Sequence, residues 1–238
     1  MGRRNRSGAS KGGGLRPFYL VLALVAVVGI AALGYAVVGG GRGAVLEPIE
    51  VEGLDDPRTL VAKAEGVAVG DPSAPAKLLI FNDFQCPACG NFAAQVTPFL
   101  KAELVDAGKL YLVYHDFPLV QIHRHAFIAA RAARCAGEQG KYWEFYSALF
   151  GQQDRWSSRP RAPLDDFEDY AAAAGLDREA FGACLRSDRY ADVVTANMQL
   201  GRQLGVDGTP TLILNGRRVR NWQGYADLKR LIEGEAGG

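Results

Sequence analysis

The run Cys86-Pro87-Ala88-Cys89 constrains this chain more than any other feature, because of what flanks it. Before it, Lys77-Leu78-Leu79-Ile80-Phe81-Asn82 is a short, almost continuous apolar stretch. It follows the turn-forming Asp71-Pro72-Ser73-Ala74-Pro75, and the two together predict a strand buried on both faces. After the run, Phe92, Val96, Phe99, Leu100 and Leu104 fall at helical spacing, with Pro98 expected to kink the helix. The cysteines therefore mark a strand-to-helix turn, with Cys86 at or just before the helix N-terminus. Unpaired N–H groups and the positive dipole end at that position favour an anion, so a Cys86 thiolate is stabilised and reactive. Cys89 lies one turn along, placed to attack a mixed disulfide and close the ring. Pro87 gives up a donor that a first helical turn does not need.

A C-x-x-C alone also reads as half of a zinc site. Four ligands would have to combine Cys86 and Cys89 with His123 or His125 and another cysteine. The sequence has no second C-x-x-C and no paired H-x₃₋₅-H. His123 and His125 are read as surface or satisfied packing residues. Asp83, three residues before Cys86, has two open readings. It is a candidate proton acceptor during thiol exchange, or a loop acid capping the helix start.

Further along, Leu110 to His115 reads as a second strand. A helical block follows: His125–Cys135, Lys141–Phe150, Asp165–Ala174, a helix capped by Asp177 and running through Leu185, and Asp192–Leu204. Tyr142 and Trp143 belong to the core of this block. Thr211–Leu214 returns to strand. Asn215-Gly216 signals a tight hairpin to a partner strand over 217–220, and Tyr225–Glu233 closes the chain as a helix against which Trp222 packs. Pro57 opens a short helix through Ala64. Strand, helix, strand, helical block, strand, hairpin and helix make an α/β sheet with a helical insertion.

Phe18 to Val38 carries no charge over 21 positions, enough at ~1.5 Å per residue to cross a ~30 Å hydrocarbon core. The basic tail, 1–17, stays cytoplasmic by the positive-inside rule, and everything after Val38 lies outside. A cleaved signal peptide competes with this reading, but its apolar core is typically ~7–15 residues. Residues 39–66 read as linker and 67–238 as the domain. Residues 1–46 hold six basic residues and no acid, leaving 21 basic against 26 acidic residues beyond them. This mildly acidic body has no basic patch for nucleic acid. An oxidising compartment favours pairing of the remaining cysteines, Cys135 and Cys184, over two buried free thiols.

Phe81-Asn82-Asp83-Phe84-Gln85-Cys86-Pro87-Ala88-Cys89-Gly90 resembles the active-site segment of DsbA-like thiol–disulfide oxidoreductases, closest to a membrane-anchored branch. The resemblance continues through His115-Asp116-Phe117-Pro118-Leu119, Ala132–Lys141 and Gly205–Thr211, and spans roughly Asp71 to Glu233. It implies a thioredoxin core with a helical insertion, here about 120–205. It implies Cys86 as nucleophile, Cys89 as resolving cysteine, and a cis Thr209–Pro210 bond beside the thiols. The backbone of Thr209 would then meet an extended substrate peptide. By itself an X-Pro bond is cis in only about 5–6% of cases, so this expectation comes from the resemblance. It also implies a structural disulfide Cys135–Cys184, as some relatives have.

The implied activity is dithiol oxidation in exported proteins, with reoxidation by a quinone-linked membrane partner of the DsbB or vitamin-K-epoxide-reductase type. No organic cofactor is required, since the cysteine pair is the redox group. A disulfide isomerase or reductase is the alternative within the same chemistry, and a non-catalytic peptide-binding chaperone the alternative outside it. Strong oxidants of the family carry His as the second residue between the cysteines. Ala88 stands there in this chain and offers the thiolate neither charge nor hydrogen bond.

Overall fold

The computed structural model of the chain describes residues 19, 24–26 and 43–236. The tail expected over 1–17 and the membrane span expected over 18–38 lie, those four positions apart, outside the described residues. Among the described residues no helix is long and apolar enough to cross a membrane. The chain divides into two units, Met1–Gly41 and Arg42–Gly238. The second carries everything that follows.

Its sheet has five strands, β1 (Val67–Val69), β2 (Ala76–Asn82), β3 (Leu110–Asp116), β4 (Thr211–Leu214) and β5 (Arg217–Arg218), in the order β1-β3-β2-β4-β5. The apolar run at 77–82 is continuous because β2 is central, parallel to β3 and antiparallel to β4. Leu78, Ile80 and Phe81 are fully buried. Asn82 pairs with Asp116, and Phe81 with Thr211. The ends of β2 and β3 and the start of β4 therefore share one edge of the sheet, the edge where α/β sheets place their sites. Asn215 and Gly216 turn β4 into β5 with φ of 46° and 79°, the left-handed pair that this hairpin requires.

Helix α1 (Pro57–Lys63) is N-capped by Asp56, whose carboxylate accepts from the Thr59 N–H. Its Leu60 packs with Ala196, and Ala44 and Val45 pack on the main core, so parts of the stretch read as linker lie against the domain. Val45 reinforces this: its carbonyl accepts from the fully buried Arg131. Helix α2 (Pro87–Gln95) follows the cysteine turn. The kink expected at Pro98 is a full break. Val96 leaves the helical region at φ −121°, α3 (Thr97–Phe99) restarts with Pro98 in its first turn, and a π-helix continues over Leu100–Val105. Pro98 has no N–H for the carbonyl four residues back, and its ring disfavours helical geometry before it.

Between β3 and β4 lie α4 (Ala126–Glu138), α5 (Tyr142–Gly151), α6 (Gln153–Ser157), α7 (Leu164–Ala173), α8 (Arg178–Leu185) and α9 (Ala191–Gln203); α10 (Tyr225–Ala236) closes the chain. Every residue of α4 from Ala126 to Ala136 is buried, and its alanines let α5, α8 and α9 pack close on all sides. Two arginines in this helix are satisfied locally. Arg131 donates to the carbonyls of Val45, Ser187 and Arg189, and Arg134 to Asp116 and the Glu65 carbonyl. Trp143 stacks edge-on with Tyr114 and Tyr146. Trp222 lies edge-on to Phe92 of α2.

Cys135 of α4 and Cys184 of α8 form a disulfide, both 1% exposed, across 49 positions of sequence. Closing a loop of that size restricts the unfolded chain. Replacing both cysteines with serine is expected to lower unfolding free energy by about 2–4 kcal/mol, read from the urea midpoint under oxidising conditions.

Candidate active site

Cys86 is the N-cap residue of α2, extended at φ −74° and ψ 122°, with Pro87 at the first helical position. Pro87 and Ala88 are exposed, Cys86 is 7% exposed and Cys89 is fully buried. Both thiols are free. This asymmetry divides their chemistry. The Cys89 thiol, the Thr209 hydroxyl and the backbone N–H groups of Ala88 and Cys89 all favour a negative Cys86 sulfur. Together they lower its pKa from the ordinary 9.0 to about 5. Burial pushes the Cys89 thiol well above its ordinary value, and the Cys86 charge beside it pushes the same way.

The Thr209–Pro210 bond is cis and enters β4. Because β4 runs antiparallel to β2, this bond arrives beside the cysteine turn. The Cys86 thiol, while protonated, donates to the Thr209 carbonyl at 3.4 Å. The Thr209 hydroxyl is buried without a hydrogen-bond partner among the described residues, and its nearness favours the negative form of either sulfur.

Asp83 is not the cap of α2, whose N-terminus takes no side-chain hydrogen bond. The turn places Cys86 itself at the cap, and the Asp83 carboxylate points inward instead. One oxygen accepts from the Gln85 N–H at 2.7 Å, and the other from the Leu119 N–H at 2.9 Å. His123 Nδ1 lies 2.7 Å from that second oxygen. His123 is therefore part of the cysteine loop's support, not a surface residue. The Asp83 hydrogen bond raises its pKa above the ordinary 6.5. His125 does pack, its Nε2 donating to the Arg159 carbonyl.

Two glutamines that the sequence reading passed over complete the support. Gln85 accepts from the His125 N–H at the start of α4, and its amide donates to the Ser157 carbonyl. Gln153 donates to the carbonyls of Phe84 and Cys86 at 2.7 and 3.0 Å. A Cβ at Gly90 would meet the Gln153 amide oxygen at 2.9 Å, which explains a glycine inside this helix. Among the described residues no group of three or more His, Cys, Asp or Glu is arranged to hold a metal.

The model of the family described as thioredoxin matches residues 62–234. The chain belongs to the thioredoxin family. Its architecture within that family is DsbA-like, a thioredoxin core with a helical insertion. The crystal structure of oxidised BdbD from Bacillus subtilis matches with a TM-score of 0.65 at 21% identity, covering 82% of this chain and all of that one. Na(+)/H(+) antiporter NhaA 1 of Mycolicibacterium gilvum is 34% identical over 196 residues, 81% of this chain and 30% of the antiporter. The chain thus spans less than a third of the length of such relatives. The probable disulfide bond formation protein D of Bacillus anthracis is 28% identical over 172 residues, 71% of this chain and 77% of that protein.

The pKa split sets a direct expectation for the reduced chain. Alkylation by iodoacetamide at neutral pH should label Cys86 and spare Cys89. The labelling rate should fall by half as pH drops through about 5, read by peptide mass.

Proposed function

We propose that the chain is a thiol–disulfide oxidoreductase acting as a dithiol oxidase through Cys86 and Cys89. The observation that carries this is the pairing of an N-cap thiol of pKa about 5 with a buried thiol that keeps its proton. A stable Cys86 thiolate makes the reduced form stable, and a stable reduced form is a strong oxidant. The name of the Bacillus anthracis relative, a disulfide bond formation protein, fits the same direction. The antiporter relatives are matched over too small a share of their length to lend this chain their transport activity.

In this reading a substrate thiolate attacks Cys86 Sγ of the oxidised pair. The Cys86–Cys89 bond breaks, and Cys89 leaves with the electron pair and takes up a proton. The extended substrate strand pairs with the Thr209 backbone, which the cis Pro210 turns toward the thiols. A second substrate thiolate then attacks the substrate sulfur of the mixed disulfide and releases Cys86 as thiolate. Two electrons pass to the protein pair. Of the two substrate protons, one ends on Cys89 and one in solvent. Asp83 would serve as a proton acceptor during the exchange.

Residues 18–38 would anchor the domain outside the cytoplasm. The substrates would be exported proteins bearing cysteines, and the reoxidant a quinone-linked membrane protein of the DsbB or vitamin-K-epoxide-reductase type.

The test is stoichiometric oxidation of a reduced dithiol peptide by the oxidised chain. The unaltered chain should oxidise one equivalent and Cys86→Ser none; Cys89→Ala, offered the peptide in its disulfide form, should accumulate a mixed disulfide through Cys86 as the second peptide sulfur leaves as thiolate. Substrate binding that survives in Cys86→Ser, with no oxidation by the unaltered chain, would instead favour a binding module.

A further inference from the structure

Asp83 places a carboxylate, its side chain fully buried, inside the turn that carries the thiolate. The Cys86 N–H donates to the Asp83 carbonyl at 3.2 Å, so the two residues share one tight loop. The Gln85 and Leu119 N–H groups each bond one of its oxygens, and His123 meets the second. As a rule, two negative charges in one buried loop disfavour each other, and an imidazolium beside the first relieves that. Among the described residues, His123 is the basic side chain that pairs with Asp83. Its side chain is 17% exposed, enough to exchange a proton with solvent. The position between the cysteines that could supply a base holds Ala88 instead.

We infer that His123 is a positioning residue for the thiolate: its imidazolium offsets the charge of Asp83 in the loop that holds Cys86, and loss of its proton returns that charge to the site. The inference rests on Cys86 being the redox nucleophile proposed above. From the cysteine loop, the titratable groups acting on His123 are Asp83 and Cys86. On its own loop, Arg124 is exposed and His125 is turned to the Arg159 carbonyl. Threonine and proline face the site from the β4 side.

The sign follows from the direction of the His123 shift. With Asp83 raising its pKa, the imidazolium's contribution is complete below the ordinary 6.5 and is lost as pH climbs through the raised value. The domain is then a stronger oxidant on the acid side and a weaker one on the alkaline side, beyond the ordinary effect of pH on a thiol.

The experiment measures the Cys86 pKa in the full-length reduced chain from the pH dependence of alkylation at the Cys86 peptide. His123→Gln should raise that pKa by about one unit, a tenfold fall in the acid constant, and His123→Lys should keep it near the unaltered value. Asp83→Asn combined with His123→Gln should return it toward the unaltered value, since both charges are then gone. A residue that merely fills space would leave the double variant at least as perturbed as the single one, and that result overturns the inference.

The unaltered chain gives a second reading if a variant fails to fold. Linkage requires the His123 ring, followed by NMR, to titrate at higher pH in the reduced state than in the oxidised state. Equal values in the two states would overturn the inference as well. Neither readout depends on turnover. A chain that oxidises no dithiol yet shows both responses would defeat the proposed function and leave this inference standing.

Discussion

The pull on Cys86 from the N-terminus of α2 is the interaction on which the rest depends. The helix presents backbone N–H groups that no carbonyl can satisfy, and a thiolate at the cap accepts from them. Pro87 starts the helix without adding another donor. The second thiol, one turn deeper and fully buried, is held protonated and donates to the first. A nucleophile and its resolving partner are thus separated by the hydrogen bonds that reach the first and the burial of the second, although they sit three residues apart.

Such a cap works only if the loop before it is held still, and the helical insertion does that holding. Asp83 is bonded to the backbone of Leu119 and to His123. Gln85 is bonded to the first turn of α4, and Gln153 of α6 clasps the carbonyls of Phe84 and Cys86. Phe84 packs on Phe150 and Tyr146 of α5 beneath the same loop. From the other side, β4 delivers Thr209 and the cis Pro210. The disulfide between α4 and α8 lies within the insertion, away from this contact, and stabilises the support itself.

Much of this was legible in the sequence wherever the signal is local. The apolar run of β2, the Asp177 cap, the Asn215-Gly216 turn and the C-x-x-C after a strand each carry their physics within a few residues. Short elements escaped: β1 is three residues and α6 five, too few for a period to show. The support of the cysteine loop escaped for another reason. Asp83 meets His123 across 40 positions, and Gln153 meets Cys86 across 67. No spacing rule connects them. A polar Asp and Gln flanking Phe84 in an otherwise apolar entry to the helix was the one available hint. Of the two readings open for Asp83, the helix cap falls away because Cys86 occupies that position itself.

The most direct measurement of the central claim is the reduction potential of Cys86–Cys89 in the full-length chain across the neutral range, against defined thiol buffers. With Cys86 ionised and Cys89 protonated, reduction takes up one proton. The potential should lie above about −200 mV and fall by about 30 mV per pH unit. A potential near that of thioredoxin, about −270 mV, falling by about 60 mV per unit would mean that both thiols hold their protons and that the pair reduces disulfides instead of donating them.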